Sequence, residues 1–143
     1  MRRRLFLLAN AGIMLFASAR TLEQGDALFH GKFPLSGRIR GHEESLPPET
    51  VRCSNCHEAA NSVSVSRVAP PRIDRLLLLE PRQRRGGPPS SYDQKAFCKL
   101  LRTGIDPAYI VIAREMPTYA VDDQQCASLW KYLLRQTNSN EQN

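Results

Sequence analysis

Two cysteines three residues apart, with a histidine directly after the second, are the side chains of this sequence best placed to do chemistry: Cys53-Ser54-Asn55-Cys56-His57. The pattern is C-x-x-C-H, the attachment motif for haem c. Thiols at that spacing can add across the two vinyl groups of one porphyrin, and the adjacent imidazole can then ligate its iron. Covalent attachment leaves axial ligation, hydrogen bonding and burial as the protein's controls over the metal. In a chain of 143 residues with four cysteines and three histidines, chance produces the pattern about 0.002 times.

An iron site needs more than its proximal histidine. His57 requires a hydrogen-bond acceptor on its second ring nitrogen to fix its orientation and basicity. A backbone carbonyl in Val68-Ala69-Pro70-Pro71 is the candidate, because proline offers a carbonyl without a competing donor and stiffens the strap. The opposite axial position follows by elimination. Met1 and Met14 lie in an N-terminal leader, so Met116 is the only methionine beyond it. Pro117 ends any preceding helix and holds the Met-Pro loop extended. The plainer use of such a methionine is to plug a gap in the core. His30 and His42 are the rival ligands and would give bis-histidine iron, although each is more simply a solvated or capping histidine. The choice matters, since thioether ligation favours ferrous iron and raises the potential. We take His57 and Met116 as the axial pair.

The leader bears on the same chemistry, because haem c is assembled outside the cytosol. Arg2, Arg3 and Arg4 precede a largely apolar run from Leu5 to Phe16, and Ala17-Ser18-Ala19 forms an A-x-A site. Residues 1–19 are therefore expected to be a cleaved secretory signal, giving a periplasmic protein. The alternative, an uncleaved anchor, is disfavoured by the short run, since a spanning helix needs about 20 apolar residues. Later in the chain even Ile73 to Leu79 is broken by Asp74 and Arg75, so no further span is expected. Losing the leader removes three arginines and no acids, which lowers the formal charge from +6 to +3. Nucleic acid is thus not an expected partner. The rest fits one domain over residues 20–137, with 138–143 a polar, disordered tail.

Several elements must position these groups. Thr21 can cap a helix with Gln24 at its third position, placing Leu22, Gly25, Leu28 and Phe29 on one face. Residues 31–52 look irregular, broken by Gly31, Pro34, Gly37, Gly41, Pro47 and Pro48, with a short extended piece or hairpin from Leu35 to Arg40. Ile73 to Leu79 suits two helical turns. Ser90 is a candidate cap, with Asp93 in the first turn, for a helix whose stripe is Tyr92, Ala96, Phe97, Leu100 and Leu101. Gly104 should end that helix, and Tyr109 to Ala113 can add another turn. Asp122 with Gln125 forms a capping box for a last helix striped by Cys126, Leu129, Trp130 and Leu133.

Cys98 and Cys126 remain once a haem has taken two thiols. An even remainder in an oxidising compartment predicts a disulfide joining two helices, with separate buried thiols as the alternative. A zinc site lacks a second C-x-x-C, and no βαβ pattern surrounds Cys53 to suggest a thioredoxin-type dithiol. Arg82, Arg84 and Arg85 form a basic loop that is either merely solvated or steers an acidic partner. Arg67 and Arg72 are candidates to pair with haem propionates.

Taken together, Cys53-Ser54-Asn55-Cys56-His57, the prolines after it, and Arg102-Thr103-Gly104 ahead of Met116-Pro117-Thr118-Tyr119 resemble a class I monohaem cytochrome c. The resemblance runs from about Leu22 to Leu134. It implies an all-α cytochrome c fold in which the N- and C-terminal helices cross around one covalent haem, with Gly25 and Phe29 near Trp130 and Leu133. It also implies electron transfer, not enzymatic catalysis, as the activity, with a dehydrogenase, oxidase or another cytochrome as partner. The segment Gly31 to Arg52 departs from the family, which brings its haem motif soon after the first helix. The competing function is a haem enzyme or sensor with an open or displaceable distal position.

Overall fold

The computed structural model describes residues 19–58 and 70–136. The signal expected over 1–19 lies outside the described residues except for Ala19, as do Arg67, Val68, Ala69 and the tail at 138–143. The described chain begins in a helix, α1, running through residues 19–29. There follow β1 (Ser36–Arg38), α2 (Cys53–His57), α3 (Arg75–Leu79), β2 (Arg82–Gln83), β3 (Pro89–Ser90), α4 (Gln94–Thr103), β4 (Thr118–Ala120) and α5 (Asp123–Leu133).

The expected all-α cytochrome c fold is overturned: the described residues form a mixed fold of five helices with two small antiparallel sheets. β1 pairs with β4, setting Ser36 opposite Ala120, Gly37 opposite Tyr119 and Arg38 opposite Thr118. β2 and β3 form a second ladder, with Arg82 opposite Ser90 and Gln83 opposite Pro89. Strands of two and three residues are too short for an alternating pattern to show. The partner of β1 also lies some eighty residues away, so only tertiary pairing reveals it.

Local capping shapes the helices. Asp122 accepts from the Gln125 amide at 2.7 Å while the Gln125 side chain accepts from the Asp122 amide at 3.0 Å, closing the box at the start of α5. Asp93, not Ser90, caps α4 by accepting from Ala96 N at 2.7 Å; Ser90 is instead spent in β3. Gly104 ends α4 at φ 70°, a left-handed conformation that only glycine adopts without strain. Asp74 caps α3 through Leu77 N. Thr21 is not a cap, since residues 19 and 20 are already helical.

Tyr109 to Ala113 is likewise not helical. The buried Asp106 carboxylate accepts from the amides of Ala108 and Ile110 at 2.9 and 2.8 Å, which bends the chain into a turn, and Ile105 bridges to Val111. An aspartate side chain that replaces a backbone acceptor in this way competes directly with helix formation.

One apolar core joins these pieces. Leu28 and Phe29 of α1, Leu35, Val51, Phe97, Leu101, Tyr119, Val121, Leu129, Trp130 and Leu133 are all buried in it. α1 meets α5 at Gly25, where an added Cβ would lie 2.3 Å from Ser128 O and 2.6 Å from Tyr132 Cβ. The absent side chain is what lets the two backbones touch. Cys98 and Cys126 are bonded to each other, joining α4 to α5. No helix among the described residues is long and apolar enough to cross a membrane.

Candidate functional site

Helix α2 is little more than the motif itself, and a five-residue helix has almost no intrinsic stability. Contacts with the rest of the molecule hold it. At its front, the Tyr119 hydroxyl of β4 donates to Val51 O at 2.9 Å, and Asn55 Nδ2 donates to Glu49 O at 2.8 Å. Behind it, Glu58 accepts from His30 Nε2 at 3.1 Å, which ties the motif to the end of α1.

His57 Nδ1 lies 2.7 Å from Pro71 O. A carbonyl can only accept, so Nδ1 carries a proton, and in the neutral ring Nε2 then keeps its lone pair. Nε2 has no hydrogen-bond partner among the described residues. This is the tautomer and orientation that a metal-ligating imidazole requires. Burial pulls the His57 pKa down, and the bond to Pro71 partly opposes it, which keeps the ring neutral. Of the two prolines singled out in the sequence, Pro71 supplies the acceptor, while Pro70 precedes it in the strap.

Cys53 and Cys56 are free thiols. Cys53 packs against the core, whereas Cys56 is exposed. Burial raises the Cys53 pKa to about 11, slightly eased by its own backbone amide. Burial raises the Tyr119 pKa above its usual value. Its hydroxyl is spent on Val51 O, two residues before Cys53.

Met116 is half-buried and packs on the same core as Cys53 and Ile73. It sits two residues ahead of β4, so the β1–β4 ladder fixes where its loop leaves the fold. Both ring nitrogens of His30 are engaged, Nδ1 with Asp26 O at 3.0 Å and Nε2 with Glu58. His42 is exposed and contacts Arg114. The His30 ring also packs edge-on against Phe29 at 5.1 Å and Tyr132 at 6.1 Å.

The basic loop is less free than its composition suggests. Arg84 donates to Leu77 O at 2.7 Å and to Ser90 O, and it lies over the Tyr92 ring at 4.9 Å. Arg82 pairs with Glu80 at 2.9 Å. Arg85 is exposed. Arg72 lines a small hollow with His57, Ile73 and Tyr132. A larger, polar hollow of about 330 Å³ lies elsewhere, between Arg38, Arg40, His42, Arg102 and Thr118, and contains none of the motif residues.

Sequence reasoning missed Tyr119, Val51 and the His30–Glu58 link. Tyr119 was visible only as the end of Met116-Pro117-Thr118-Tyr119, and no local pattern announces a hydrogen bond between residues 68 positions apart. Comparison of the chain with models of known protein families, with curated proteins and with solved structures finds no match.

The donor set fits a covalent haem c. Two unpaired thiols one helical turn apart adjoin an imidazole whose free lone pair is Nε2, and a thioether lies on the same core. The two remaining cysteines are consumed by each other, so nothing competes for the motif's sulfurs.

Proposed function

We propose that this chain is a periplasmic one-electron carrier, or the electron-transfer subunit of a redox complex, related to the class I monohaem cytochromes c by its motifs. The observation that carries this is the 2.7 Å bond from His57 Nδ1 to Pro71 O beside two free thiols. Cys53 and Cys56 would hold the group as thioethers, each S–H adding across one vinyl group. His57 Nε2 would be the proximal ligand and Met116 Sδ the distal one. Bound there, haem c would supply a reversible one-electron iron couple. The chain's own part would be to hold His57 oriented through Pro71 O, to offer the Met116 thioether as second ligand, and to exclude water from the buried side.

A dithiol oxidoreductase is the weaker account of the same cysteines. Such an enzyme needs a thiol whose pKa is lowered to form the attacking thiolate, and burial moves Cys53 the other way, to about 11.

Expression of the full sequence in a host with haem c maturation tests the reading. The expected product is a periplasmic protein, with its leader removed, whose mass includes one haem that acid–acetone extraction does not remove. The Cys53→Ala, Cys56→Ala double variant should lose it. A wild-type chain recovered without covalent haem would sink the proposal. A ferric iron that is high-spin at rest would instead point to the enzyme or sensor alternative.

A further inference from the structure

Residues 31–52 have no task in the haem reading as it stands, yet they touch both pieces that carry the axial ligands. β1 pairs with β4, which begins two residues after Met116. At the other end of the segment, Val51 lies two residues before Cys53, and its carbonyl accepts the Tyr119 hydroxyl at 2.9 Å. Tyr119 is itself the central residue of β4, facing Gly37 across the ladder. A Cβ at position 37 would come within 3.0 Å of Val51 Cγ1 and 3.2 Å of Tyr119 Cε1, so a glycine there lets the three meet. The segment is folded back on itself by Leu46 N donating to Gly37 O at 2.8 Å. Arg40 reaches from it to Ile112 O at 2.9 Å, four residues ahead of Met116. The Met116 loop is thus held on both flanks by one stretch of chain.

We propose that residues 31–52 form a clasp that sets the Met116 loop against the Cys53–His57 helix, with Tyr119 as its positioning residue. The proposal rests on the His57/Met116 assignment. Its physical basis is preorganisation. A thioether competes with outside ligands for iron in proportion to how firmly its loop is held in the bound geometry, because a loop already ordered loses little entropy on ligation. Freeing one anchor of the loop lets a competitor in.

The test titrates imidazole into the ferric holoprotein and follows the red-edge charge-transfer band of methionine-ligated haem. Tyr119→Phe keeps the ring and removes the tie. Loss of one buried hydrogen bond should let imidazole bind about fivefold tighter. Arg40→Gln, which cuts the second anchor at Ile112, should act in the same direction, and it serves if the tyrosine variant fails to fold. Ser128→Ala removes a hydrogen bond to Gln24 on the α1–α5 side and should leave the affinity unchanged. A wild-type band with unchanged imidazole affinity in Tyr119→Phe or Arg40→Gln overturns the clasp and spares the ligand assignment. No band in the wild type overturns the assignment, and the clasp with it.

Discussion

Replacing both Cys98 and Cys126 by alanine isolates what their cross-link does to the unfolded chain. The bridge joins residues 28 positions apart. For a loop of that size, lost chain entropy in the unfolded state corresponds to about 3.5 kcal/mol at 25 °C. Alanine is the informative substitute. Cys126 is 0% exposed and Cys98 8%, so a serine hydroxyl would be left buried without a partner, adding about 1–3 kcal/mol of unrelated cost. For a domain of this length, about 4 °C per kcal/mol translates the loss into a Tm lower by about 12–15 °C. Urea denaturation of wild type and double variant, side by side, is the assay. The midpoint should fall while the slope m rises, because an unfolded chain without the cross-link exposes more surface. A loss below about 1 kcal/mol refutes the entropic argument. A loss of the expected size with unchanged m also refutes it, by moving the effect into the folded state.

Three further outcomes are expected. Gly25→Ala should lower stability by about 1–3 kcal/mol although alanine gains about 1 kcal/mol in helix propensity, because its Cβ would sit 2.3 Å from the rigid Ser128 carbonyl; thermal melts of the two proteins decide it. Burial lowers the His30 pKa, but hydrogen bonds to Glu58 and the Asp26 carbonyl, with both carboxylate charges, outweigh it and leave the pKa raised from 6.5. The stability His30 contributes is therefore complete below pH 6.5 and fades as pH rises through the raised value; denaturation at a series of pH values should show this slope in wild type and its absence in His30→Gln. Met116→Ala should abolish the red-edge charge-transfer band of the ferric holoprotein, while His42→Ala leaves it intact. Loss of the band only in the histidine variant would reassign the distal ligand.

Much of the site was legible because its signals are local. A C-x-x-C-H motif is five consecutive residues, and the carbonyl acceptor for His57 was expected within a four-residue strap that includes Pro71. The Asp122–Gln125 box and the Gly104 stop were readable for the same reason, since a cap involves groups three or four positions apart. Local rules misled where two residues competed for one job. Ser90 and Asp93 are both good caps, and Ser90 was drawn instead into the short ladder with Arg82. Asp106 turned the following residues away from helix by offering its carboxylate to their amides.

What the sequence determined by itself, then, is the inventory: which thiols and imidazole stand together, which cysteines are left to pair, and where most helices stop. The tertiary structure decided how those atoms are held. It drew Ser36–Arg38 into a strand beside β4, so that an all-α expectation gave way to a mixed fold. It also committed His30 and Arg84 to internal partners. The physical reason lies in the range of the interactions. Capping and helical periodicity act within a turn, whereas the Tyr119–Val51 and Ser36–Ala120 contacts close loops of many tens of residues. Those contacts are specified by the fit of the whole core and by no neighbouring residue.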